Sequence, residues 1–452
     1  MEFGQFILAH EGDDLGALAL AREKYVGEPF DFDLALTTLE VRRKLRDKVP
    51  EWYAEPSLCY PFRVSGEQCS SSETARYKAS VALQAVALHS SRAESGLFAR
   101  TEFSPELKPG ENRPFRTGSV ADLTGGLGVD SWAFAQVFGQ VLYNEMRSEL
   151  AAAASSNFQK LDADNIVVRN QELRPGHVAD LLNGFTPDIL FLDPARRAED
   201  GRKVFRLEDC QPDVLQLLPE LLSACPLLLL KLSPMADISL VCRQLQCVRE
   251  VHVVAAEGEC KELLLLLERD FEGQHALFVY ENGARLEIPG GGHTLPESVA
   301  TLGLIRGRGP SERMGGVAKR RFWESMSPSE TERPFLFEPG KGLLKAGAFD
   351  LPCQYGLEKL GRHTHLYVGE EIPEELKPFG KVLRILEAVP LDKRNLKRIG
   401  QTYPQAEVTA RNIPLTSDQL RTRLKVRSGG PIHIFGLHID TLQDHYLLVC
   451  TR

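Results

Sequence analysis

VADLTGGLGVDSWAFA, residues 120–135, decides how the rest of the chain is read. The apolar run ending at Asp122 reads as a strand. Gly125, Gly126 and Gly128 read as a tight turn, and a helix opens after them. A second strand closes at Glu145, 17 residues past Gly128. A main chain that must bend sharply and let a bulky ligand come close needs residues without side chains there. A carboxylate at the end of the next strand can take two hydrogen bonds from ribose hydroxyls. The set has the layout of a nucleotide pocket at the carboxyl edge of a parallel sheet. Taken singly, each part has a plainer reading: a structural strand–helix turn also uses glycines, and Glu145 alone reads as a helix cap or a surface ion pair.

Working outward, apolar strands are expected at Ser119–Leu123, Gln140–Asn144, Ile166–Arg169, Ile189–Leu192, Leu227–Leu232, Val251–Ala255 and Leu263–Glu268, most with helices between. Continuous apolar strands alternating with helices argue for an α/β fold whose parallel sheet is covered on both faces. AEGECKE between the last two is too short for a helical crossover, so those two should run antiparallel. The fourth strand ends in a polar, basic tip, Asp193-Pro194-Ala195-Arg196-Arg197, where a substrate would meet a bound nucleotide. Lys231 and Ser233 follow the fifth strand beside the same mouth. Lys231 reads equally as a group that orients substrate and as a strand-end lysine reaching solvent.

Five regions are expected. Residues 1–95 are helical, with Ser70 and Glu73 forming a capping box and Tyr77 and Lys78 chiefly packing. Residues 96–275 carry the sheet. Residues 276–334 hold a hairpin turning at Asn282-Gly283 and then a Gly/Pro-rich linker. Residues 335–380 form a small unit, with His363 and His365 on one strand face. Residues 381–452 run strand, helix, strand, helix, strand, strand, with Ser417 as a helix N-cap. Those last 72 residues hold 12 Lys/Arg against 6 Asp/Glu, a balance of +6 within a net charge of −8, so the first 380 carry −14. A basic tail on an acidic body points to an anionic partner there, or to solvated helix faces.

The nine cysteines show no CxxC spacing, and no metal site is expected. Dispersed thiols, an N-terminus without a signal peptide and no apolar run of membrane-spanning length make a cytoplasmic protein the expectation.

TGGLGVDS, ILFLDPARR, GRKVFRLEDC, LLLKLSPMADI and VTARNIPLTSDQLRTRLKVRSGG together resemble the bacterial THUMP-like domain-containing class I methyltransferases, and more distantly the cap-guanine N2 methyltransferase group. The resemblance implies a Rossmann-like seven-stranded domain with an N-terminal helical cap and a C-terminal α+β THUMP-like, ferredoxin-like region. It implies S-adenosyl-L-methionine as cofactor, held by Asp122, Thr124, Gly125, Gly126, Gly128, Glu145, Asn170 and Gln171. It gives catalytic roles to Asp193, Pro194 and Arg196, and substrate contacts to Arg197, Lys231 and Ser233. Amino-group methyltransferases carry D/N-P-P-Y/F/W at this tip. Here Ala195 replaces the second proline and Arg196 the aromatic residue, which puts planar-amine specificity in question. DPPR-type enzymes need a cysteine nucleophile. Cys210 lies on a different segment, and Cys260 lies on the sheet's rim. A nicotinamide dehydrogenase remains an alternative, although the GxGxxG pattern lacks its third glycine.

Three functions therefore stand side by side: methylation of a base nitrogen in RNA, with the basic tail holding the RNA; methylation of a protein or small molecule, with the tail as a partner surface; and a non-catalytic nucleotide-gated RNA-binding or assembly factor.

Overall fold

Four short strands set the frame: β1 (Ser119–Asp122), β2 (Gln140–Asn144) and β4 (Ile189–Leu192), mostly buried, and β3 (Ile166–Arg169) at the edge. The computed structural model describes residues 1–95, 116–196, 207–289, 333–440 and 442–452. Arg197, the side chain of Arg196 and most of the Gly/Pro-rich linker lie outside the described residues. A two-residue ladder, β5 (Ala195–Arg196) with β6 (Cys210–Gln211), precedes β7 (Leu227–Leu232), β8 (Val248–Ala256) and β9 (Glu259–Glu268).

The chain divides into two compact units, Met1–Val254 with Lys261–His275, and Ala255–Cys260 with Ala276–Arg452. In the first, the strand order is β3-β2-β1-β4-β7-β9-β8. β1 pairs in parallel with both β2 and β4, and β7 pairs with β4 in parallel and β9 antiparallel. The order reverses between β1 and β4, which makes the carboxyl ends of those strands the switch point where open α/β sheets bind ligands. The turn Glu257-Gly258 has positive φ at both residues (54° and 75°), the geometry of a two-residue hairpin.

The N-terminal helices belong to this first unit. Cys59 and Asn157 exchange two hydrogen bonds of 2.9 Å, which fasten the chain to the helix Ser148–Lys160. The long helix Ser72–Ser95 meets the sheet through polar pairs, among them Tyr77 Oη with His252 Nδ1 at 2.8 Å. Its cap differs from the expected one. Ser71, not Ser70, accepts from the Thr74 amide (3.2 Å), because the Ser70 hydroxyl is engaged by Lys78 and Asp130.

In the second unit, β10 (Ala276–Glu281) and β11 (Ala284–Ile288) form the expected hairpin, with Asn282 and Gly283 both at positive φ. The strands β12 (Phe335–Pro339), β13 (Glu358–Lys359), β14 (Tyr367–Gly369), β15 (Gly380–Pro390), β16 (Glu407–Arg411), β17 (Ile432–Ile439) and β18 (Asp444–Thr451) make one sheet, ordered β13-β14-β12-β15-β18-β17-β16. His363 and His365 do not share a strand face. They precede β14 in a turn, His365 has φ of 49°, and its ring stacks on Phe349 at 4.2 Å.

The helices Lys393–Thr402 and Ser417–Leu424 cover one face of that sheet, where Leu396, Ile399, Leu420 and Leu424 join Ile434, Leu447 and Val449 in a single core. Thr416, not Ser417, caps the second helix, and it does so in a capping box with Gln419. The Ser417 hydroxyl instead accepts from the Ala410 amide at 3.0 Å. The two helices cross closely at Gly400, where an added Cβ would lie 1.8 Å from the Leu424 carbonyl oxygen. Backbone cannot yield as a side-chain tip can. Gly400→Ala is therefore expected to cost about 1–3 kcal/mol, read as a lower urea midpoint of the full chain with an unchanged m-value.

Candidate active site at the sheet switch point

Each of the three glycines has its own reason. A Cβ on Gly125 would lie 2.1 Å from the Tyr143 ring, and one on Gly128, where φ is 95°, would lie 2.7 Å from Phe158. Both are required by packing alone. Gly126 differs: its φ is 54°, and a Cβ there would meet nothing closer than the Thr124 carbonyl at 3.9 Å. Gly126 is thus the point at which the turn leaves room for a ligand to lie against the main chain.

Glu145 stands beside it, half-buried. Its Oε2 accepts from the Gly126 amide (3.1 Å) and its Oε1 from the Arg147 amide (2.8 Å), so the carboxylate is aimed by two backbone donors. Asn170, exposed, donates from Nδ2 to the Glu145 carbonyl at 2.7 Å. Gln171, also exposed, is held through its main chain by Asn144.

Asn144 went unnoticed in the sequence. Its buried side chain donates to the carbonyls of Leu123 and Gln171 (both 3.0 Å) and accepts from the Gln171 amide (3.1 Å), which locks the ends of β1, β2 and β3 together.

Asp122 is wholly buried. It accepts from the Ser131 hydroxyl at 2.5 Å and from the Thr124 amide at 3.1 Å, closing the turn from inside. Burial pushes its carboxyl up to about 8, outweighing those two donors, and the nearby Asp130 and Asp193 add to the rise.

Thr124 links the turn to the tip. Its Oγ1 accepts from the Asp193 amide at 2.7 Å. Asp193, half-buried, receives the Lys231 ammonium on Oδ2 at 2.5 Å. Lys231 neither reaches solvent nor stands open to a substrate, because its side chain is only 13% exposed and turned onto Asp193. Burial alone would lower its pKa, but Asp193 and Glu262 outweigh that and raise it. The Ser233 hydroxyl is likewise occupied, accepting from the Met235 amide at 3.2 Å.

Cys210, distant in sequence from the tip, is brought next to it by the β5–β6 ladder, in register with Arg196. It is fully buried, and burial first, then Asp209 and Asp213, push its thiol up to about 12. A thiol so far from ionisation is a poor nucleophile. Pro194 is half-buried in the chain between Asp193 and β5.

Residues 335–376 match a model described as a ferredoxin-like domain, and residues 380–452 one described as THUMP domain-like. A crystal structure described as that of a candidate methyltransferase from Porphyromonas gingivalis W83 is 27% identical, with a TM-score of 0.70, over 100% of this chain and 97% of that one. An uncharacterized S-adenosylmethionine-dependent methyltransferase from two strains of Mycobacterium tuberculosis is 24% identical over 264 residues, which is 57% of this chain. The match spans 62% of the length of those curated relatives. The fold is that of the class I methyltransferases. Its relatives and its C-terminal domain make the chain similar to THUMP-like class I methyltransferases.

The residues at the switch point fit the cofactor of that class. Gly126 leaves open space, and Glu145 offers an aimed, half-buried carboxylate at the end of β2. Asp122 serves the turn itself rather than facing outward.

Because the Asp122 carboxyl sits above the ordinary carboxylate value when folded, its contribution to stability is full below about pH 4 and is lost as pH rises through about 8. Urea unfolding of Asp122→Asn should therefore show a flatter dependence of stability on pH across that window than the parent does.

Proposed function

We propose that the protein transfers a methyl group from S-adenosyl-L-methionine to a base nitrogen in RNA. The observation that carries this reading is the placement of Asp193. Its amide is anchored to the glycine turn through Thr124, one carboxylate oxygen is held by Lys231, and Oδ1 has no partner among the described residues. A group placed this way accepts a hydrogen bond from an amine brought up to the turn.

In this reading Glu145 takes the ribose hydroxyls, the backbone at Gly126 lies against the cofactor, and Asn170 and Gln171 border the adenine. The cofactor supplies a methyl on a positively charged sulfur. Asp193 and the Pro194 carbonyl orient the acceptor nitrogen so that its lone pair faces that carbon, a contribution made chiefly by positioning. Arg196 and Arg197 follow directly on the tip, and an arginine plane there can stack on a base or grip a phosphate.

The C-terminal domain supports RNA as the acceptor. On its two adjacent helices and the exit from the second, Lys393, Arg394, Lys397, Arg423, Lys425 and Arg427 are exposed. Arg398 and Arg421 are paired with Glu387 (2.7 Å) and Asp418 (2.6 Å). Exposed cations clustered on neighbouring helices suit a phosphate backbone, and binding should fall steeply with salt. The target base must then leave its stack, which favours loops, bulges or ends.

The deciding measurement is nucleoside mass spectrometry of RNA from a deletion strain and its parent. One methylated nucleoside is expected to vanish and to return on complementation. An unchanged profile would move the acceptor to a protein or small molecule. With the purified protein, Asp193→Ala is expected to abolish transfer and leave affinity for S-adenosylhomocysteine within a few-fold by calorimetry. Loss of that affinity would remove Asp193 from the acceptor side.

A further inference from the structure

Behind Asp193 lies a chain of buried charges. Lys231 Nζ is 2.5 Å from Asp193 Oδ2 and 3.9 Å from Glu262 Oε2. Both Glu262 oxygens are held by Lys78 Nζ, at 2.9 and 3.1 Å. Lys78, completely buried, also contacts Asp130 Oδ1 at 3.0 Å and donates to Ser70 Oγ at 2.7 Å. Ser70 donates in turn to Asp130 Oδ2 at 2.8 Å. The members come from the helix Ser72–Ser95 and the residues just before it, the helix after the glycine turn, the end of β4, β7 and β9. Two ammonium groups and three carboxylates thus alternate from the interior out to the tip.

A sheet does not need this chain for cohesion, since apolar side chains of like volume stabilise at least as well as buried ion pairs. Such a chain does fix direction. Glu262 is fully committed to Lys78 and cannot follow a moving Lys231, so Lys231 has one place to stand, and Asp193 Oδ2 is its hydrogen-bond partner.

We propose that Lys231 is a positioning residue. Backed by Glu262 and Lys78, it occupies Oδ2 of Asp193 and leaves Oδ1 as the one acceptor for the incoming N–H. Thr124 fixes the Asp193 main chain from the other side, so backbone and carboxylate are each held at one point. The inference rests on the proposed function for the identity of the acceptor, but the geometry it asserts is independent of that.

Two readouts test it. The first is the crystal structure of Lys231→Met beside that of the parent. The Asp193 carboxylate is expected to leave its place, whereas Lys231→Arg retains it. A carboxylate that stays put in Lys231→Met overturns the proposal whether or not RNA is methylated. The second uses RNA from the deletion strain as acceptor. Lys231→Met should lower kcat by about 10- to 100-fold while KM for RNA and affinity for S-adenosylhomocysteine stay within about two-fold. Lys231→Arg should restore most of kcat. A rise in KM at unchanged kcat would make Lys231 a substrate contact instead. Should Lys231→Met fail to fold, Lys231→Leu, which also lacks a donor, carries the same expectations. If the parent methylates no RNA and the carboxylate nevertheless moves in the variant, the proposed function falls and the role of Lys231 stands.

Discussion

The buried ammonium of Lys78 is the constraint around which the first unit is arranged. An amine taken wholly out of water demands anionic partners at contact distance, and removing one of them would strand the charge. Glu262 and Asp130 meet that demand from different elements, β9 and the helix after the glycine turn. The helix Ser72–Ser95, which carries Lys78, is therefore no loose appendage. Its register against the sheet is set by where those two carboxylates stand. The same set of charges ends at Asp193, so a helix that precedes the glycine turn in sequence helps to define the geometry beside it.

The strands of the first unit were legible because their apolar runs are continuous and bounded by turns. Ile189–Leu192, Leu227–Leu232, Gln140–Asn144 and Ile166–Arg169 lie where the sequence pattern puts them. In the basic domain, the helix Ser417–Leu424 also lies where expected, and the hairpin was marked by Asn282-Gly283. The helix caps were less legible. At Ser70-Ser71-Ser72, and again at Thr416-Ser417, neighbouring hydroxyls compete for the same role, and long-range partners decide which is left to cap. Ser70 is claimed by Asp130 and Lys78, and Ser417 by the Ala410 amide.

At the candidate site, the pattern placed the turn and the strand ends but did not say what each side chain touches. Gly125 and Gly128 answer to the Tyr143 and Phe158 rings, Thr124 to a backbone amide 69 residues away, and Lys231 to Asp193. Asn144 and Cys210 were missed or misplaced for the same reason: their partners become neighbours only through strand pairing. An asparagine among apolar residues at the end of a strand was the available signal, since a buried amide must find several partners.

The C-terminal sheet has one more property. β18 stands between β15 and β17 in it. During vectorial synthesis those two strands have no bridge between them until residues 444–451 leave the ribosome. Until then, apolar faces that end up in one core wait unsatisfied. Closure of the domain therefore waits on β18, and the strands made before it stay exposed in the interval.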